Sequence, residues 1–105
     1  MQQKVSTGEV MVNLENGLHL GPSSQIVQLV QRFDCELLIR KGDRVVNGGS
    51  MLDLLTLAAE NGTPLSLEAR GPQAEEAIEA VVGLFARNFA VEESVEAGRE
   101  AQKPQ

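Results

Sequence analysis

The sequence predicts an α+β fold: an open-faced, two-layer sandwich in which a four-stranded, mostly antiparallel sheet is covered on one face by three helices. Three observations carry this. Stretches with an apolar period of two alternate with stretches of helical period, in the order strand, helix, strand, strand, helix, strand, helix. The strand-like stretches alternate apolar and polar residues, as a sheet buried on one side and wetted on the other requires. The chain has 105 residues, 42% of them apolar, with three Phe and neither Trp nor Tyr. That suits one domain with a core of Leu, Val, Ile and Ala.

Val5 to Leu14 reads as the first strand, with Val10, Val12 and Leu14 alternating with Met11 and Asn13. Asn16-Gly17 is a turn signal, because both residues tolerate positive φ. From Pro22 to Phe33, Ile26, Leu29, Val30 and Phe33 recur at helical spacing, with Gln25, Gln28, Gln31 and Arg32 mostly outside, and Asp34-Cys35 closes this first helix. Glu36 to Arg40 and Asp43 to Val46 bracket Lys41-Gly42 as a hairpin. After Asn47-Gly48-Gly49, Ser50 and the acid Asp53 three residues on approach a capping box. A short helix is therefore expected from Met51 to Ala59, ending near Asn61-Gly62.

Pro64 to Arg70 alternates again, Leu65, Leu67 and Ala69 against Ser66, Glu68 and Arg70, until Gly71-Pro72 punctuates it. Ala74, Ala77, Ile78, Val81, Val82, Phe85 and Phe89 then form one helical stripe with Glu75, Glu76 and Glu79 opposite. Beyond Ala90 the apolar content falls, so residues 1–90 are expected to form the domain and residues 91–105 an acidic, disordered tail.

A net charge of −6 argues against a nucleic-acid partner, which calls for a basic face. No apolar run reaches the ~18–20 residues of a membrane span and the start is not a secretory signal, so no membrane insertion is expected. One Cys, Cys35, makes no internal disulfide and suits a cytoplasmic location. One Cys and one His do not make a familiar zinc site, and no metal or cofactor is expected.

The chemistry centres on Asn16-Gly17-Leu18-His19-Leu20-Gly21-Pro22-Ser23-Ser24, which holds the sole histidine. Proline is welcome in a first helical turn, whose N–H groups lack internal partners. With His19 at or just before that turn, its imidazole lies beside the free N–H groups of Leu20 and Gly21, where a helix end carries partial positive charge and suits phosphate. His19 is thus either a phosphoryl acceptor or an ordinary cap or loop residue. Gly21 reads either as a packing or turn glycine or as room for a partner's close approach. Ser50 is a helix cap at the least. Met51, Leu52 and Leu55 are core residues or an exposed docking patch, and Cys35 reads as a buried spectator.

Asn16-Gly17-Leu18-His19-x-x-Pro22, followed by small residues, resembles the active-site signature of HPr, the histidine-containing phosphocarrier of the phosphoenolpyruvate-dependent sugar phosphotransferase system, Asn-Gly-Leu-His-Ala/Thr-Arg-Pro-Ala. Gly49-Ser50-Met51-Leu52-Asp53-Leu54-Leu55-Thr56-Leu57 resembles that family's regulatory-serine segment, Lys-Ser-Ile-Met-Gly-Val-Met-Ser-Leu. The His-to-Ser spacing and the βαββαβα order agree as well, so the resemblance spans Val5 to Phe89. It implies that His19 accepts a phosphoryl group from phospho-enzyme I and passes it to enzyme IIA-type components for sugar uptake, or to regulatory targets. Leu20 and Gly21 would hold the phosphoryl oxygens through their backbone. Leu20, Ser24, Met51, Leu52 and Leu55 would dock partners, and the chain would act as a monomer.

Ser50 would be the counterpart of the serine modified by HPr kinase/phosphorylase. The alternative it implies is a regulatory HPr-like interaction module, controlled through Ser50 and a transcriptional regulator, with weak or no carrier activity. The chain departs from the family where Gly21 replaces the arginine after the histidine and Gly49 replaces the lysine before the serine. Gln28 and Gln31 stand where many relatives carry lysine, and Asp53 adds an acid. The docking face is expected to be less basic than the family norm.

Overall fold

The computed structural model describes residues 3–90. The expected acidic tail lies outside them. The elements run β1 (Val5–Met11), α1 (Leu20–Val30), β2 (Glu36–Lys41), β3 (Arg44–Asn47), α2 (Met51–Leu57), β4 (Pro64–Arg70) and α3 (Ala74–Ala86). The order is the one expected. The sheet is arranged β1-β4-β2-β3, and each neighbouring pair is antiparallel. β4 is central although late in sequence, which ties the N-terminal strand to the hairpin.

Alternation sets the two faces. Leu65, Leu67 and Ala69 of β4, Leu37 and Ile39 of β2 and Val46 of β3 are buried, and Thr7, Glu9, Arg40, Val45 and Ser66 face solvent on the open side. Against the buried face lie Ile26 and Val30 of α1, Leu54 and Leu57 of α2, and Ala77, Ile78, Val81, Leu84 and Phe85 of α3. Gly8 lets α3 close on β1, because a Cβ there would stand 3.0 Å from Ile78 Cγ2. Glu75, Glu76 and Glu79 are exposed, as the stripe predicts.

Element ends differ from the sequence pattern for identifiable reasons. β1 stops at Met11 rather than Leu14 because Thr63 turns its N–H back to Glu60 O (3.0 Å) instead of across to Val12, which breaks the ladder one residue beyond Met11–Pro64. Val12 still donates to Thr63 O (2.9 Å) and accepts from Gly62 N (2.7 Å). α1 starts two residues before Pro22 and ends at Val30 instead of Phe33. Arg32 and Phe33 donate to Leu29 O and Val30 O, three residues back, a tightening common at helix ends that brings Phe33 against the core. The hairpin turn is Gly42-Asp43, one residue later than expected, with Lys41 opposite Arg44 and Gly42 at φ 59°.

α2 stops at Leu57 rather than Ala59, and Ala58 is left-handed at φ 53°, ψ 45°. α3 ends at Ala86, before Phe89. Asn88 (φ 53°) donates to Phe85 O and Phe89 to Leu84 O, the bond pair of a Schellman motif with Asn at the left-handed position. Phe89 is nonetheless buried, with its ring edge-on to Phe85 at 4.8 Å.

α2 makes a direct test of the two faces. Leu54 is 0% exposed and Leu52 75%, two residues apart on the same helix. Leu54→Ala is expected to lower the stability measured by urea unfolding by about 2–5 kcal/mol. Leu52→Ala should change it by no more than about 0.5 kcal/mol.

Candidate phosphoryl-acceptor site

His19 is the N-cap of α1, with φ −88° and ψ −162°. Its carbonyl accepts the Ser23 N–H at 3.0 Å, the first bond of the helix, and its own N–H donates to Gly17 O at 2.9 Å. The residue before it is held just as firmly. Leu18 is buried, its N–H donates to Ala59 O at 2.8 Å, and its carbonyl accepts Ser23 Oγ at 3.3 Å. Ser23, the one buried polar residue among those described, is therefore satisfied by the loop it supports. The backbone around His19 is fixed on both sides.

The side chain is left free. The His19 imidazole is exposed, makes no capping bond and has no hydrogen-bond partner among the described residues. The N–H groups of Leu20 and Gly21 also lack an acceptor there, and Pro22 has none to offer. An exposed nucleophilic ring therefore stands beside two unpartnered donors at the positive end of an 11-residue helix.

The two glycines of the loop differ in what they do. Gly17 is buried at φ 69°, and a Cβ on it would lie 2.5 Å from Ala59 O, so the Leu18–Ala59 bond exists only because the position is glycine. Gly21 has neither constraint. A Cβ there would meet only His19 Cε1, at 3.7 Å, an ordinary contact, so the reading of Gly21 as a packing or turn glycine is set aside. Its missing side chain leaves one flank of the imidazole open.

Ser50 caps α2, its Oγ accepting the Asp53 N–H at 3.2 Å. The reciprocal half of a capping box does not form. The Asp53 carboxylate turns to the Asn47 N–H at 3.0 Å, and the Ser50 N–H goes to Asn47 O at 3.1 Å. Asn47 Oδ1 also accepts Gly49 N–H at 2.8 Å, so the turn before α2 is closed by its own side chains.

Of the expected docking residues, Leu20 (62%), Leu52 (75%) and Leu55 (38%) are exposed, whereas Met51 and Ser24 are half-buried. Ser24 Oγ accepts from Gln28 Nε2. α1 and α2 pack against one another, and between them they carry no Lys or Arg and a single acid, Asp53.

Sequence reasoning missed Ser23 and Lys41. Lys41 Nζ, at the end of β2, donates to Leu57 O (3.1 Å) and Ala58 O (3.0 Å), where α2 ends. A lysine near a helix C-terminus is a legible signal only when the helix is its own. Cys35 lies apart from this site and is half-buried. Burial, then the neighbouring Asp34 carboxylate, pushes its thiol above the ordinary value.

The family model for the PTS HPr component phosphorylation site matches residues 6–87. The chain belongs to the HPr family of phosphotransferase-system phosphocarriers. It is 36% identical over 77 residues to the phosphocarrier protein HPr of Vibrio cholerae, covering 73% of this chain and 91% of that one. It is 38% identical over 74 residues to the phosphocarrier protein NPr of Escherichia coli, covering 70% and 82% respectively. The crystal structure of HPr from Bacillus anthracis superposes with a TM-score of 0.73 at 32% identity, over 77% of this chain and 96% of the other.

The contrast between the glycines is measurable. Gly17→Ala is expected to cost about 1–3 kcal/mol through strain at positive φ. Gly21→Ala, at a compatible helical position, should instead stabilise by about 0.4–1 kcal/mol. Both are read by urea unfolding. At Cys35 the raised thiol value means that thiolate forms more readily in the unfolded chain. The contribution is present below the ordinary thiol pKa and is lost as pH rises past it. Alkylation rates of folded and urea-unfolded protein, followed against pH, should show the folded midpoint displaced upward.

Proposed function

We propose that His19 is the residue that bears the phosphoryl group in this phosphocarrier. The observation that supports it is the free, exposed imidazole on a backbone fixed from both sides, next to the unpartnered N–H groups of Leu20 and Gly21. A ring nitrogen of His19 attacks the phosphorus of a phosphohistidine on enzyme I. The donor's P–N bond breaks as the new one forms; the His19 ring gives up its N–H proton, and the leaving ring of the donor takes up one in its place, so that both end neutral. The Leu20 and Gly21 N–H groups then face the phosphoryl oxygens, as fixed donors that need no rearrangement. With glycine at position 21 no guanidinium assists, and the incoming partner's own groups have access to that flank. The acceptor is an enzyme IIA-type component, which reverses the same exchange.

Leu20, Leu52 and Leu55 form the proposed apolar contact with these partners, with Met51 and Ser24 at its margin. A single chain suffices for this chemistry. Ser50 supports a second, regulatory reading, because it opens the helix that carries Leu52 and Leu55. A phosphate there adds about −1.5 to −2 charges next to the Asp53 carboxylate, altering docking without touching His19. In that reading a kinase and a transcriptional regulator replace the enzyme II partner.

Incubation with phosphoenolpyruvate and a cognate enzyme I, followed by intact mass, is expected to add one acid-labile phosphoryl group to the wild type and none to His19→Ala. An unchanged mass with enzyme I shown active on another carrier would remove the carrier reading and leave Ser50 as the site to pursue.

A further inference from the structure

α2 ends without the glycine that usually permits a left-handed turn. Ala58 takes up φ 53° and ψ 45° instead, a conformation disfavoured for an L-residue because its Cβ crowds the following carbonyl oxygen. The turn matters because it places Ala59, the next residue. Ala59 is buried, and its carbonyl is the acceptor for Leu18 N–H, the residue before His19. Something must hold an unfavourable turn in place, and the side chain that reaches it is Lys41. Its ammonium bridges the carbonyls of Leu57 and Ala58, on either side of the point where the chain leaves the helix. A cation at that end also complements the helix dipole.

We infer that Lys41 is a positioning residue for the His19 loop, acting through the left-handed turn at Ala58 and the Ala59–Leu18 bond. The path is continuous: ammonium to the last carbonyls of α2, that turn to Ala59 O, Ala59 O to Leu18 N, and Leu18 to His19. Each step is a covalent neighbour or a hydrogen bond of 3.1 Å or less. Lys41 comes from β2, so the sheet and the end of α2 are clamped together at the place where the loop attaches. Without the ammonium, the Leu57 and Ala58 carbonyls turn to water, the turn relaxes toward negative φ, and Ala59 O leaves Leu18. The functional weight of this rests on His19 being the phosphoryl acceptor; the structural coupling does not.

Amide hydrogen exchange on the full chain tests it. In Lys41→Met, which keeps the aliphatic stem, the Leu18 amide is expected to exchange about tenfold faster while Leu67, in the middle of β4, changes little, because a local opening leaves the sheet intact. Lys41→Arg should retain most of the protection. Lys41→Met combined with Ala58→Gly should regain part of it, since glycine adopts the turn unaided. In the same samples, His19 phosphorylation by phosphoramidate, which exchanges one P–N bond for another and releases ammonia, should slow several-fold in Lys41→Met. Leu18 exchange that stays unchanged, or that rises only in step with Leu67, would overturn the proposal. Wild-type protein that phosphoramidate leaves unmodified at His19 would overturn the carrier reading instead, with the exchange result still deciding the coupling.

Discussion

The backbone bond from Leu18 N–H to Ala59 O ties the loop before α1 to the chain that leaves α2. Gly17 makes the approach possible and Leu18 buries its side chain beneath it. Ser23 closes the loop from within the helix, so both carbonyls flanking His19 and the His19 N–H have their partners before any ligand arrives, and the Leu20 N–H alone of these groups stays free. The core under α1 and α2 is built from Ile26, Val30, Leu54 and Leu57, and their burial holds both anchors at a constant separation. The backbone that carries the His19 imidazole is therefore ordered before any partner docks, and only the side-chain torsions remain to be fixed.

Much of this is readable in the sequence. Strand alternation marks the buried side of β4, the Glu75–Glu76–Glu79 face orients α3, and Asn16-Gly17 before Pro22 locates the start of α1 around His19. These signals are local, each written within one turn of helix or one strand pair. What the sequence hides is non-local. The end of α2 depends on an ammonium 16 residues upstream, and Asp53 prefers the Asn47 N–H on β3 to the helix cap that its spacing suggests. The Schellman end of α3 stands between these cases. Asn88 is a recognisable left-handed residue, but the apolar period running on to Phe89 masks it. Phe89 reaches the core through that turn and not along the helix.

Ser50 and Gly21 show how a site can share its family's outline and differ in electrostatics. Both keep backbone positions that the fold requires, Ser50 as a cap and Gly21 within the first turn of α1. The charges around them differ from the family pattern. No side-chain cation stands on either helix next to the imidazole, and the acid at position 53 is already engaged with backbone. Under the proposed assignment, what this chain itself offers a phosphoryl group at His19 is peptide dipoles, which do not titrate.

The near-neutral surface of α1 and α2 also bears on how quickly a partner finds the chain. Charged faces draw partners in from a distance, and that attraction weakens as salt rises. Two helices with one acid between them exert no such pull, while the chain as a whole, at −6, repels acidic partners. Under the proposed docking through Leu20, Leu52 and Leu55, encounters fall in the ordinary unsteered range of about 10⁵–10⁷ M⁻¹s⁻¹. Salt then acts on such encounters chiefly by screening the net charge of the whole chain, so an acidic partner meets it faster as ionic strength rises.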